Sequence, residues 1–254
     1  VLYFHGNAGT RAIGNRVRVS QKVSAMNCNF LIIDYRGFAD SSSTPPPSEE
    51  GVLIDARRAF DFLRLEKGVD ASQIVIMGQS LGTGIGTALA ARLEDEGVKA
   101  RALILVAPFS SIATLLETYK LGNCIPLISP LRRFPWLFNK LIKLLRTKFD
   151  TKSIISRITS PLLIVHALDD PVIPFSHTHA LSSHLLSPLL EKAAGGTEDE
   201  KGVLRKRLVK EERVGRWGIV RSFERGRGKG RVVWAEAKEG SHTFIGETEY
   251  TMRL

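Results

Sequence analysis

The chemistry-bearing residues fall in four short words. Gly78-Gln79-Ser80-Leu81-Gly82 has the spacing G-x-S-x-G, with an apolar run before it (Ile74–Met77) and a helical pattern after it (Leu81–Leu93). A serine on a sharp strand-to-helix turn is held in a strained conformation and exposed as a nucleophile. Glycines two residues to either side, Gly78 and Gly82, allow neighbouring chain to pass close by. The helix start behind Ser80 contributes positive dipole charge, and the Leu81 amide can face a developing oxyanion. His5-Gly6-Asn7-Ala8-Gly9 ends the first apolar run. An H-G-x-x-G loop there supplies a second oxyanion donor, which we assign to the Asn7 backbone N–H. His5 and Gly6 support that loop, with His5 bracing it rather than transferring protons.

A nucleophilic serine needs a base and an acid, and in a strand–turn–helix setting these follow in the order Ser, Asp, His. After the apolar run Leu162–Val165 comes His166-Ala167-Leu168-Asp169-Asp170-Pro171. Either aspartate could orient a histidine. Of the six histidines, His5 and His166 are excluded by order, and His177, His179 and His184 read as the polar face of a helix. His242, just past Val232–Ala235, can reach across a sheet end to Ser80. It would take the serine proton during attack and return it to the leaving group.

These residues must be positioned by alternating elements. Strand-like runs occur at Val1–Phe4, Phe30–Asp34, Ile74–Met77, Ala102–Val106, Leu162–Val165 and Val232–Ala235. They are continuously apolar, as expected of parallel strands covered on both faces. Helical patterns at Arg16–Met26, Glu49–Glu66 (with Ser48 as N-cap), Leu81–Leu93 and Ser176–Leu186 lie between them. The alternation predicts one α/β domain over 1–254 with a mostly parallel, doubly wound sheet. Two segments interrupt it. Residues 109–159 are expected to form a helical lid insertion. Within it Phe134, Leu137, Phe138, Leu141, Leu145 and Phe149 form a helical stripe flanked by Lys140 and Lys143, suited to covering an acyl pocket or touching an anionic membrane surface. Residues 187–230, rich in Gly, Lys, Arg and Glu, are expected to be a flexible loop. Removing Glu191–Lys229 is therefore expected to preserve or raise stability.

The 254 residues carry 36 Lys+Arg against 26 Asp+Glu, a net charge of +10. Residues 191–230 hold 12 basic and 7 acidic side chains. The excess suits an anionic partner. With Trp217 and Phe223 the only aromatics in that segment, a base-stacking nucleic-acid platform is not expected. Two cysteines, Cys28 and Cys124, exclude a disulfide framework and a cysteine-rich zinc site. No apolar run reaches 18 residues, so nothing in the sequence reads as a bilayer-spanning helix. The chain opens at Val1 inside an apolar run and is expected to be part of a longer protein.

The motifs taken together resemble the α/β-hydrolase superfamily, and within it the branch of membrane-associated lysophosphatidylserine and monoacylglycerol lipases. The matching words are HGNAGTRA (5–12), DYRGFADS (34–41), GQSLGTG (78–84), APF (107–109) and PLLIVHALDDPVIPF (161–175). The resemblance implies a triad of Ser80, Asp170 and His242, with Asp169 a loop-bracing or solvated residue. It implies a lipid ester substrate, with neither metal nor organic cofactor. It also implies a fold lacking its first strands here, and residence on the endoplasmic reticulum or another internal membrane through an upstream anchor. Gln79 stands where the family usually has His, and Ala39 where it has Gly. Rival readings are a protein depalmitoylase, general esterase or peptidase on the same triad, and a non-catalytic membrane- or anion-binding scaffold. Oligomeric state is not legible.

Overall fold

A computed structural model describes residues 1–118, 120–121, 125–126, 136, 140, 145, 147–193, 197–226 and 228–245. The elements are β1 (Leu2–Phe4), α1 (Gly14–Ala25), β2 (Leu31–Ile32), α2 (Glu49–Asp61), β3 (Val75–Gln79), α3 (Leu81–Asp95), β4 (Ala102–Val106) and α4 (Ile112–Thr118). The short pair β5 (Lys120–Leu121) and β6 (Ile125–Pro126) follows, then α5 (Thr151–Ile154), β7 (Leu162–Ala167) and α6 (Ser176–Ala193). The chain continues through α7 (Glu198–Leu208), β8 (Lys210–Val214), β9 (Gly218–Phe223), β10 (Val232–Ala237) and α8 (Ser241–Phe244). Ser48 caps α2 as expected, its side chain accepting from the Gly51 amide at 3.1 Å.

The main sheet has the order β2-β1-β3-β4-β7-β10-β9-β8. Pairing is parallel from β2 to β10 and antiparallel from β10 to β8. Strand parity explains why the central runs are continuously apolar. Leu2, Phe4, Ile76, Leu103, Leu105, Leu162 and Ile164 face a large core beneath α2, α3 and α6. Tyr3, Met77, Val106, Val165 and Ala167 face a smaller core with Val19 and Val23 of α1 and with Ile245. Successive side chains thus bury on opposite faces, so both parities must be apolar. Ala39 adopts a left-handed conformation (φ +49°), which accounts for the usual glycine there. A Cβ in this region costs about 1–2 kcal/mol.

The lid expectation for 109–159 is only partly covered, because 119, 122–124, 127–135, 137–139, 141–144 and 146 lie outside the described residues. Of its apolar stripe, Phe134, Leu137, Phe138 and Leu141 lie outside them, as does Lys143. Phe149 is described, and buried.

The expectation of a flexible loop over 187–230 is corrected. Residues Ser187–Ala193 extend α6, Thr197 and Glu200 form a capping box on α7, and β8–β9 add two antiparallel strands beside β10. Phe223 is 3% exposed and packs edge-on against Trp234 at 5.9 Å. The Arg225 guanidinium donates to the carbonyls of Ile158 (2.6 Å), Ser160 (2.6 Å) and Gly230 (2.7 Å), pinning the segment to the loop before β7. Deleting Glu191–Lys229 would remove the partner strand of β10 and a buried aromatic worth about 2 kcal/mol or more. Its melting temperature is expected to fall by at least about 5 °C. An unchanged scanning-calorimetry transition would restore the loop reading.

Candidate active site

Ser80 joins β3 to α3 with φ +53° and ψ −120°, a strained pair for an L residue. Two close approaches impose that turn. A Cβ on Gly78 would lie 2.2 Å from the Gly82 carbonyl oxygen, and one on Gly82 would lie 1.9 Å from that of Phe4. Only glycine fits at either place. The Ser80 amide donates to the Val106 carbonyl at 3.0 Å, tying the turn to β4.

The structure brings Ser80, Asp170 and His242 together. Ser80 Oγ lies 2.8 Å from His242 Nε2, and His242 Nδ1 lies 2.8 Å from Asp170 Oδ2. The carboxylate can only accept, so Nδ1 carries the proton and Nε2 is left to accept from the serine hydroxyl. Asp170 Oδ1 accepts from the amides of Val172 (2.8 Å) and Ile173 (2.9 Å). Oδ2 also meets Nε2 of the buried His166 at 3.1 Å. Burial alone would raise the Asp170 pKa. The hydrogen bonds from His166 and His242 outweigh it, and the carboxyl sits well below the usual carboxylate range. Asp169 instead accepts from the Ser241 amide at 2.9 Å, holding the turn that carries His242.

The Gly6–Thr10 loop passes against the serine: a Cβ on Gly6 would lie 3.2 Å from Ser80 Cβ. His5 is buried, its Nδ1 donating to the Gly6 carbonyl at 2.8 Å and its ring stacked 4.4 Å from Tyr35. Its Nε2 is 3.1 Å from Asp34 Oδ1 but out of hydrogen-bond alignment. Burial pushes the His5 pKa down. The Arg11 amide and guanidinium donate to Asp34 at 2.7 and 2.6 Å, which couples the HGNAGTR and DYRG words. Arg16, which the sequence reading passed over, is buried behind the loop and donates to the carbonyls of Gly6 (3.1 Å), Ala8 (2.7 Å) and Thr10 (2.5 Å). Nothing in a helical pattern marks such an arginine as different from its solvated neighbours.

Asn7, Ser80 and Leu81 line one side of a groove of about 560 Å³. Its remaining wall is mainly apolar, with Val52, Ile112, Leu115, Leu116, Phe149 and Ile173. Among the described residues no group of His, Cys, Asp or Glu is arranged to hold a metal ion.

A sequence profile described as "alpha/beta hydrolase fold" matches residues 1–143. The chain belongs to the α/β-hydrolase family. The lysophosphatidylserine lipase ABHD12 of Macaca fascicularis is 38% identical over 178 residues, 69% of this chain and 42% of that protein. The human protein ABHD12B is 32% identical over 180 residues, 70% of this chain and 47% of that one. The matched chain thus spans less than half the length of these curated relatives. Among solved structures, Est1E from Butyrivibrio proteoclasticus, with ferulic acid bound, superposes with a TM-score of 0.59 at 14% identity, covering 99% of this chain and 84% of its own. An α/β-hydrolase from Vibrio vulnificus does so at 0.58 and 19%, covering 81% and 70%.

The polar-face reading of the three helical histidines of this hydrolase chain is corrected for one of them. His179 is exposed and His184 half-buried, but His177 is 2% exposed. Its Nδ1 accepts from the Ser110 amide at 3.2 Å, and its Nε2 lies 2.9 Å from Thr118 Oγ1. The neutral ring thereby fastens α4, one wall of the groove, to α6. Burial pushes its pKa down from 6.5 to about 4. As pH falls from 6.5 towards 4 the unfolded chain takes up this proton first, so stability is lost across that window and levels off below it. The full effect is about 3 kcal/mol. His177→Gln, which cannot titrate, is expected to lose less stability than wild type between pH 7 and 4, by roughly that amount in urea unfolding. Equal losses would refute it.

Proposed function

We propose that this chain is the hydrolytic part of a lipid-ester hydrolase that works through an acyl-enzyme on Ser80. The observation that carries the reading is the unbroken path of two 2.8 Å contacts from the Ser80 hydroxyl through His242 to Asp170, opening onto an apolar groove. The lysophosphatidylserine lipases among its relatives support a lysophospholipid ester as the substrate, and the resemblance of the sequence motifs adds a monoacylglycerol ester.

In this mechanism Ser80 Oγ attacks the ester carbonyl while His242 Nε2 takes its proton. The carbonyl π electrons move onto oxygen, where the amides of Asn7 and Leu81 stabilise the negative charge. Collapse of the tetrahedral intermediate breaks the bond to the alcohol, which leaves with the proton from His242. The products of this half are the Ser80 acyl ester and the free glycerol or glycerophospho compound. Water then repeats the sequence on the acyl ester and releases the fatty acid. Asp170 stays ionised throughout and stabilises the imidazolium, in keeping with its depressed pKa.

A fluorophosphonate probe is expected to label the wild type and not Ser80→Ala. His242→Ala should cost at least about 10³-fold in ester hydrolysis while the domain stays folded. An apolar groove also sets a chain-length rule: kcat/KM should rise up to about fourfold per added methylene until the groove is filled. A flat series with full Ser80 labelling would redirect the reading to a short-chain esterase or a peptidase. Absence of labelling in folded wild type would favour a non-catalytic binding protein.

A further inference from the structure

Gln79 directly precedes the nucleophile, and strand alternation turns its side chain onto the smaller core, the same face as Tyr3. It is 6% exposed. Its Oε1 accepts from the Tyr3 hydroxyl at 2.6 Å, and its Nε2 donates to the carbonyls of His242 and Thr243, each at 3.2 Å. The orientation of the amide is dictated by its partners. Flipped, it would set Oε1 against two carbonyl oxygens that can only accept. A polar path therefore runs from β1, through the residue beside the nucleophile, to the backbone of the histidine.

That backbone needs holding. The turn into α8 begins with two residues at positive φ, Gly240 (+149°) and Ser241 (+49°). Asp169 fixes its entry through the amides of Gly240 (3.4 Å) and Ser241 (2.9 Å). Gln79 fixes its exit. His242 sits between these anchors and must meet Ser80 and Asp170 at once, both at 2.8 Å.

We propose that Gln79 is a positioning residue for His242, holding the histidine turn so that Nε2 stays aligned with Ser80 Oγ. The proposal rests on the triad reading above. It also accounts for the departure at this site: a histidine, the residue usual in the resembling family, can offer a ring N–H to the same carbonyls.

The test uses four variants of the full chain: Gln79→Met, of similar length but without donor or acceptor; Gln79→His; Tyr3→Phe; and the Gln79→Met/Tyr3→Phe double variant. Each is assayed for the rate of fluorophosphonate labelling, for kcat and KM on a monoacylglycerol, and for melting temperature. Displacing a catalytic group by about 1 Å can cost up to about 100-fold. Gln79→Met is therefore expected to lose about 10- to 100-fold in both kcat and labelling rate, with KM within about twofold. Gln79→His should recover most of the loss. Tyr3→Phe, which removes the bond to Oε1 and leaves the amide held by the two carbonyls alone, should show a smaller loss of the same kind, and the double variant should be no slower than Gln79→Met. Wild-type labelling by Gln79→Met, or equal losses in the Met and His variants that follow melting temperature, would overturn the proposal and leave the triad standing. If Gln79→Met does not fold, full activity in Tyr3→Phe would overturn it instead. An unlabelled wild type would take down the triad reading and this inference together.

Discussion

The carboxylate of Asp170 receives hydrogen bonds from two backbone amides and two histidines, in a shell that leaves its side chain 1% exposed. A buried charge is tolerable only when its lone pairs are met this fully. The same saturation has a chemical result. An anion this well satisfied does not readily take a proton from the imidazole, so the His242 tautomer is fixed and the ring can only be pulled towards the charge. Pro171 follows directly in the loop, and Asp170 Oδ1, which accepts from both Val172 and Ile173, makes the carboxylate part of its own turn. Few other arrangements would bring a residue at position 242 to one at position 80.

Ser80 is fixed by a different force, the exclusion of side chains. β1, β3 and α3 come together so closely at Gly78 and Gly82 that a single Cβ would overlap carbonyl oxygens. Close packing of backbone holds Ser80 in a conformation it would otherwise leave. The neighbouring Gly6–Thr10 loop is held by polar means instead, with Arg16 gathering three of its carbonyls from behind and Arg11 joining it to Asp34. Rigid packing on one side and directed hydrogen bonds on the other leave Ser80 and the loop beside it little freedom.

Much of this was legible in the sequence, for a physical reason. The serine turn, the H-G-x-x-G loop and the Asp-Pro loop are each built from near neighbours, so their geometry is written in local residue types. The parallel strands announced themselves because both of their faces are buried. What failed to show was long-range or solvent-exposed. β8 reads Lys-Glu-Glu-Arg-Val with only its last residue partly buried, so no apolar rhythm marks it as a strand. Composition then argued for a loop, while Phe223 and Arg225 made the contacts that order the segment. The burial of His177 is hidden in the sequence because a polar side chain on a helix near other histidines looks solvated until Ser110 and Thr118 are placed beside it. Arg16 carries no signal at all, and Gln79 only its departure from the usual histidine, since what matters is which carbonyl oxygens they meet.

With β9 and β8 added, β10 has hydrogen-bonded neighbours on both sides. The strand that delivers His242 therefore cannot fray singly; loosening it would mean disrupting several strands at once. Among the described residues the margin of the sheet on that side is Lys210–Val214, where four successive charged residues discourage strand addition from another molecule. The liability to self-association is thereby shifted onto a segment that carries none of the chemistry.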